Sequence, residues 1–169
     1  MRSESCILHP ERGFTLVELL VVLVVMGIAL GATMVQLMPD NRAVLRQESA
    51  RLALLLENAA LEAQASGRPL AWSGEASHYR FWKKNDYNDW VRIEDDTLFR
   101  PRELPEGIRI SQITVEALTL KPGDKLSLSA HGFCLPYRIR IGNQYGNASV
   151  IGKSTGEVNA SLDNQTTLP

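Results

Sequence analysis

The sequence predicts an α+β protein in which a long N-terminal helix leads into an antiparallel β domain. Three observations carry that prediction. A nearly uncharged apolar run opens the chain, a second run with helical periodicity follows it, and from Leu70 onward the periodicity changes to two.

The apolar run comes first. Between Leu19 and Val35 there is no charged side chain, and Thr33 is the only hydroxyl. From Phe14 to Met38 the polar residues are Thr15, Glu18, Thr33 and Gln36. A helix of that length matches the roughly 30 Å of bilayer hydrocarbon, so residues 14–38 are expected to span a membrane. Arg2 and Arg12 precede the run, and basic flanks favour the cytoplasmic side. The larger part of the chain is then expected in the periplasm or outside. Glu18 is the anomaly. An acid at the centre of a membrane helix costs about 2.5–3.5 kcal/mol, less near the interface, so it needs a partner. A plain signal anchor does not explain it. Nor does a signal peptide cut after Gly31, within the small-residue stretch Ala29 to Ala32.

Residues 39–67 are read as an amphipathic continuation of the same helix. Leu45, Leu52, Leu55, Leu56, Ala59 and Ala63 recur at three- and four-residue steps, against Arg46, Glu48, Arg51, Glu57 and Glu62 on polar faces. Pro39 is expected to kink or open the helix at the membrane boundary, and Ser66-Gly67-Arg68-Pro69 to stop it. About three Ala-rich heptads are too few to argue for a coiled coil.

Residues 68–169 form the β domain. "HYRFW", "IRISQITV", "EALTL", "KLSLSA", "YRIRI" and "ASVIG" alternate apolar with polar residues, as half-buried strands do. Turn signals separate them at Asn85-Asp86, Leu104 to Gly107, Lys121 to Asp124 and Gly142-Asn143. The polar tail from Asn159 to Pro169 is expected to fray.

Composition narrows the function classes. The chain has 169 residues, 44% hydrophobic and 22% charged, with a formal net charge of -1. Those values fit one globular domain plus an appendage. They offer no basic surface for nucleic acid. Cys6 and Cys134 fall on opposite sides of the expected membrane span, so no disulfide joins them, and Cys134 is read as a small buried hydrophobe.

The order Gly13, Phe14, Thr15-Leu16-Val17-Glu18 within "RGFTLVELLVVLVVMGI" resembles the processing signal of type IV prepilins and type II secretion pseudopilins. The resemblance implies that prepilin peptidase cuts between Gly13 and Phe14, removing residues 1–13 as a leader, and methylates the new Phe14 amine. It implies that the apolar helix remains, and that Glu18 pairs with the terminal amine of a neighbouring subunit during assembly. An amine created at Phe14 also lies four residues from Glu18, the spacing of one helix face, so pairing within one subunit is open too.

The β domain adds to this. "SGRPLAW…YRFWKK…W…DDTLFRPRELPEGI" and the closing "GNASVIGKSTGEV" are similar to the minor pseudopilin H group of type II secretion. The resemblance implies a pilin-like fold and a non-enzymatic, structural subunit of a periplasmic pseudopilus that drives folded exoproteins through an outer-membrane secretin. Its partners would be the minor pseudopilins I, J and K, the major pseudopilin, prepilin peptidase and, before assembly, the inner membrane. No cofactor, metal or small-molecule substrate is expected. A type IV pilus minor pilin is the nearest rival, sharing leader, helix and β domain. A periplasmic binding domain on a signal anchor is a rival of a different class.

Other motifs lead elsewhere. In "GNASVIGKST" five residues separate Gly146 from Gly152, whereas a phosphate loop needs four and must open a helix. Glu94-Asp95-Asp96, with Asp86 and Asp89, fits no recognised calcium loop, and Arg92, Arg100 and Arg102 are read as neutralising it. His131 and Cys134 make at most an incomplete metal pair. Trp72, Trp82 and Trp90 read as core and strand-face aromatics rather than a nucleic-acid stacking platform.

Overall fold

A computed structural model describes residues 15–36 and 40–163, which fall into two compact units divided after Pro39. The first unit contains helix α1, Leu16–Gln36, 21 residues long. Its side chains from Leu16 to Ala29 are all exposed, so leucines and valines face outward on every side of the helix. Taken over the described residues, no helix is long and apolar enough to cross a membrane. The part of α1 with described side chains is the reason: Leu16 to Ala29 is about 21 Å of helix. The helical backbone continues to Gln36, giving about 31 Å in all.

The second unit begins with its own cap. Asp40 is extended (φ -70°, ψ 93°), and its carboxylate accepts the backbone N–H groups of Arg42 and Ala43 at 3.0 and 3.2 Å. That is the geometry of an N-cap aspartate, and helix α2 runs from there as Asn41–Ser66. One helix, kinked or opened at Pro39, was the expectation; Asp40 caps α2 as a helix with its own start. Residues 37–39, including the expected Pro39 kink, lie outside the described residues. Gly67, at φ 65°, ends α2 in the left-handed conformation that glycine adopts without strain. Leu45, Leu52, Leu55, Leu56, Ala59 and Ala63 are all buried, and Ser49, Ala53 and Ala60 join them.

Ten strands follow: β1 Leu70–Glu75, β2 His78–Lys84, β3 Trp90–Arg92, β4 Arg102–Glu103, β5 Arg109–Val115, β6 Leu118–Thr119, β7 Leu126–Leu128, β8 Tyr137–Asn143, β9 Gly146–Gly152 and β10 Val158–Asp163. They make two sheets whose described pairings are all antiparallel. One has the order β3-β2-β1-β7, with β4 added to β2; the other is β10-β9-β8-β5-β6. The inner faces of both sheets and the apolar face of α2 enclose one core, with Trp72, Tyr79, Phe81, Leu126 and Leu128 from the first sheet and Tyr137, Ile139, Ile141 and Val150 from the second. α2 packs chiefly on β9 and β10. The architecture is α+β.

The strands that alternation did not mark are β1, β3, β4 and β10. β1 is buried along all but its last residue, on both faces: Leu70 and Trp72 lie in the core, and Ala71 and Ser73 on the opposite face are covered beside Trp82. Strands covered on both faces lose the period-two signal. β3 and β4 are too short to show one. β10 corrects the expected frayed tail: Asn159 to Asp163 pair with β9 across Ile151 to Asn147. It is an edge strand whose outward side chains are polar, so locally it reads like a tail. Residues 164–169 lie outside the described residues. The turn assigned to Gly142-Asn143 sits two residues further on, at Gln144-Tyr145, where Asn143 Oδ1 accepts the Tyr145 N–H at 2.9 Å.

Candidate functional site

The candidate site at the N-terminus is built from the first turn of α1. Gly13 and Phe14, the expected cleavage and methylation residues, lie outside the described residues. Thr15 is the first described residue. Its hydroxyl accepts the Glu18 N–H at 3.3 Å, and its carbonyl accepts the N–H groups of Glu18 and Leu19. Thr15 therefore caps α1, and Thr15-x-x-Glu18 has the residue types and spacing of a capping box. Glu18 is exposed in the first turn, where the positive end of the helix dipole favours an acid. The helix thus supplies a local reason for Glu18 that the sequence reading missed, although T-x-x-E was there to be seen. Among the described residues the Glu18 carboxylate itself makes no hydrogen bond or ion pair.

The segment "DDTLFRPRELPEGI" forms a strap across the first sheet. Asp96 Oδ1 accepts the N–H groups of Leu98 and Phe99 at 2.7 and 2.9 Å, turning the chain so that Phe99 packs on Phe81 with ring centroids 5.1 Å apart. Arg102 then donates through Nη2 to the carbonyls of Thr97 and Leu98, while β4 pairs with β2 at His78 and Tyr79. Leu104 is buried and gives its N–H to the Ser77 carbonyl at 2.7 Å. Gly107, at φ 85°, allows the turn that returns the chain to β5. The motif residues of this stretch hold the fold together.

The acidic turn does not work as expected. Arg92 pairs with Glu94 at 2.9 Å, but Arg100 and Arg102 make no ion pair with it among the described residues. Asp96 is spent as a cap and Asp86 faces Arg68 at 3.5 Å. Among the described residues no three His, Cys, Asp or Glu side chains gather as a metal cluster. Gly146 to Gly152 is strand β9, followed by a turn closed by Gly156 N–H to the Lys153 carbonyl, with no helix to receive a phosphate. Cys134 is buried; His131 is exposed. Trp72 lies in the core, whereas Trp82 and Trp90 sit on the outer face of the first sheet under Lys125 and Lys84. Trp82 donates to Ser73 Oγ at 2.8 Å.

Burial sets the chemistry of two phenols. It pushes the Tyr79 hydroxyl above its ordinary pKa, against Arg102 and Arg51, which pull it down. It raises Tyr137 much further, with Cys134 and Glu57 adding to the effect. Glu157 is held low by a hydrogen bond from Asn159 and by Lys153.

Comparison with known proteins adds to this geometry. The profile of the prokaryotic N-terminal methylation motif matches residues 8–34. Among solved structures, the minor pseudopilin EpsH from the type 2 secretion system of Vibrio cholerae superposes with a TM-score of 0.59 at 14% identity, covering 72% of this chain and 98% of that one. A second structure of the same Vibrio cholerae pseudopilin gives 0.61 at 13% identity, covering 73% and 97%. The chain has a minor-pseudopilin fold. The solution structure of Escherichia coli GspH agrees, with a TM-score of 0.54 at 17% identity and coverage of 78% and 99%. No curated protein sequence matches the chain. The methylation motif is a match of sequence and the minor-pseudopilin fold a match of structure, so each is an independent observation.

Proposed function

We propose that this chain is a structural, non-enzymatic minor pseudopilin of a type II secretion system. The observation that supports it best is the combination of a methylation motif over residues 8–34 with a GspH-like β domain behind it. In this reading prepilin peptidase removes residues 1–13 on the cytoplasmic face and methylates Phe14. Residues 14–38 then hold the protein in the inner membrane until it is extracted into a periplasmic pseudopilus. Glu18 pairs there with the terminal amine of a neighbouring subunit. Breaking such a pair strands a charge away from water, at a cost of about 3–5 kcal/mol. The remaining partners are the major pseudopilin and the other minor pseudopilins of the I, J and K types. The β domain supplies contact surface rather than a catalytic centre.

Sequencing the mature N-terminus tests the first step. A methylated Phe14 start supports the reading, and a start at Met1 or Ala32 overturns it. Glu18→Ala tests the second: membrane insertion is retained and incorporation into the fibre is lost. Normal incorporation of that variant refutes the role given to Glu18. Deletion identifies the machine: lost exoprotein secretion with intact pili supports type II secretion, and lost pili or twitching motility supports a type IV pilus minor pilin.

A further inference from the structure

The strap and α2 leave an open cleft of about 380 Å³, lined by Arg51, Tyr79, Arg100, Pro101, Arg102 and Glu103. Three arginines from two elements far apart in sequence therefore line one depression. Against them stand two acids, Glu103 in the cleft itself and Glu48 beside Arg51 on α2. Glu48 reaches Arg51 at 3.5 Å, and Glu103 faces His78 at 3.5 Å. The side chain of Arg100 is exposed and has no ion pair or hydrogen bond among the described residues. Arg102 spends Nη2 on the strap carbonyls, yet its Nε is buried and has no acceptor among the described residues. A buried N–H without a partner is unfavourable, and a guanidinium presents its donors in a fork that fits a carboxylate.

We propose that the cleft formed by Arg51, Arg100 and Arg102 binds a carboxylate presented by an acidic segment of a partner protein. The site is discrete. A nucleic acid laid across this face would also meet Glu94, Asp95 and Asp96 on the same strap, and a chain of net charge -1 exerts no general pull on a polyanion. A surface with both an arginine cleft and an acidic turn fits a protein partner that carries both signs of charge. Tyr79, buried beneath the arginines, gives the cleft a rigid floor. The inference does not depend on which secretion or pilus machine uses the chain.

The test uses the full chain in detergent micelles, with ¹⁵N-labelled arginine so that the side-chain Nε–H signals are resolved. Titration with a hexaglutamate peptide is expected to shift the Arg100 and Arg102 signals. Arg100→Gln is expected to weaken peptide binding about tenfold with thermal unfolding unchanged, because Arg100 supports nothing in the fold. Arg102→Lys keeps the charge but loses the fork, and is expected to weaken binding as well. The proposal is overturned if the peptide leaves both signals in place or if Arg100→Gln binds equally well. It is also overturned if inorganic phosphate shifts the signals as strongly as the peptide, which marks a simple anion site. A response to phosphatidylglycerol vesicles without one to the peptide assigns the cleft to lipid headgroups instead.

Discussion

Removing the ring of Phe99 tests whether the strap is a folded part of the domain. Phe99 is 7% exposed, is held in place by the Asp96 turn, and meets Phe81 with centroids 5.1 Å apart. Phe→Ala in a core costs about 3–5 kcal/mol, transfer and cavity together. The aromatic pair accounts for about 0.5–1.5 kcal/mol beyond burial. Phe99 lies on a strap at the margin of the core, which favours the lower end, so Phe99→Ala is expected to cost about 3 kcal/mol. For a domain of this size that lowers the melting temperature by about 10–15 °C. Phe133→Ala is the control: its ring is 82% exposed, and such surface changes stay within about 0.5 kcal/mol. Tryptophan fluorescence during thermal unfolding of the full chain in detergent measures both. Hydrogen exchange at Leu104, whose N–H is bonded to Ser77, reports the strap directly. If Phe133→Ala matches Phe99→Ala, or if Phe99→Ala costs less than about 1 kcal/mol, the strap is not the buttress described.

Tyr137 keeps a buried hydroxyl with no partner among the described residues, so Tyr137→Phe is expected to be neutral or to stabilise by up to about 1 kcal/mol in urea unfolding near neutral pH. Because the folded phenol is raised above its ordinary value of 10.0, stability is unaffected below that pH and falls as pH rises past it, where only the unfolded chain ionises. Tyr137→Phe should flatten that alkaline fall; an unchanged fall sinks the assignment. Gly152 lies beneath the Tyr137 ring with no room for a Cβ, so Gly152→Ala should cost about 1–3 kcal/mol by overpacking, and less in a Tyr137→Ala background. Equal losses in both backgrounds would show that the ring is not the obstacle. Asp40→Ala removes the cap of α2 and should cost about 1 kcal/mol by circular dichroism melting; no loss would place the start of the helix elsewhere.

Much of this fold is legible from local pattern. The buried stripe of α2 follows from three- and four-residue spacing, and the glycine stop at Gly67 from backbone chirality. Six strands announce themselves by alternation, and in β2, β7 and β8 one face is buried while the other reaches toward water. What is not legible depends on long-range pairing. β1 hides its period because Ala71 and Ser73, opposite Leu70 and Trp72, are covered as well once Trp82 of β2 is beside them. Only the partnership of β10 with β9 turns a polar tail into a strand. The cap at Asp40 and the box at Thr15-x-x-Glu18 were both readable and were overshadowed by the apolar runs they introduce. The arginine cleft was not readable: Arg51 and Arg100 are brought together only by the way the strap crosses β2.

The cap at Asp40 also governs how disturbance travels along the chain. Helix formation is cooperative, so a change at one point of an unbroken helix spreads to its neighbours. An extended residue whose carboxylate takes the first free N–H groups of α2 ends that spread. The hydrogen bonds of α2 therefore close on themselves at its first residues. The folded unit that begins at Asp40 carries its own helix start and does not borrow one from the residues before it.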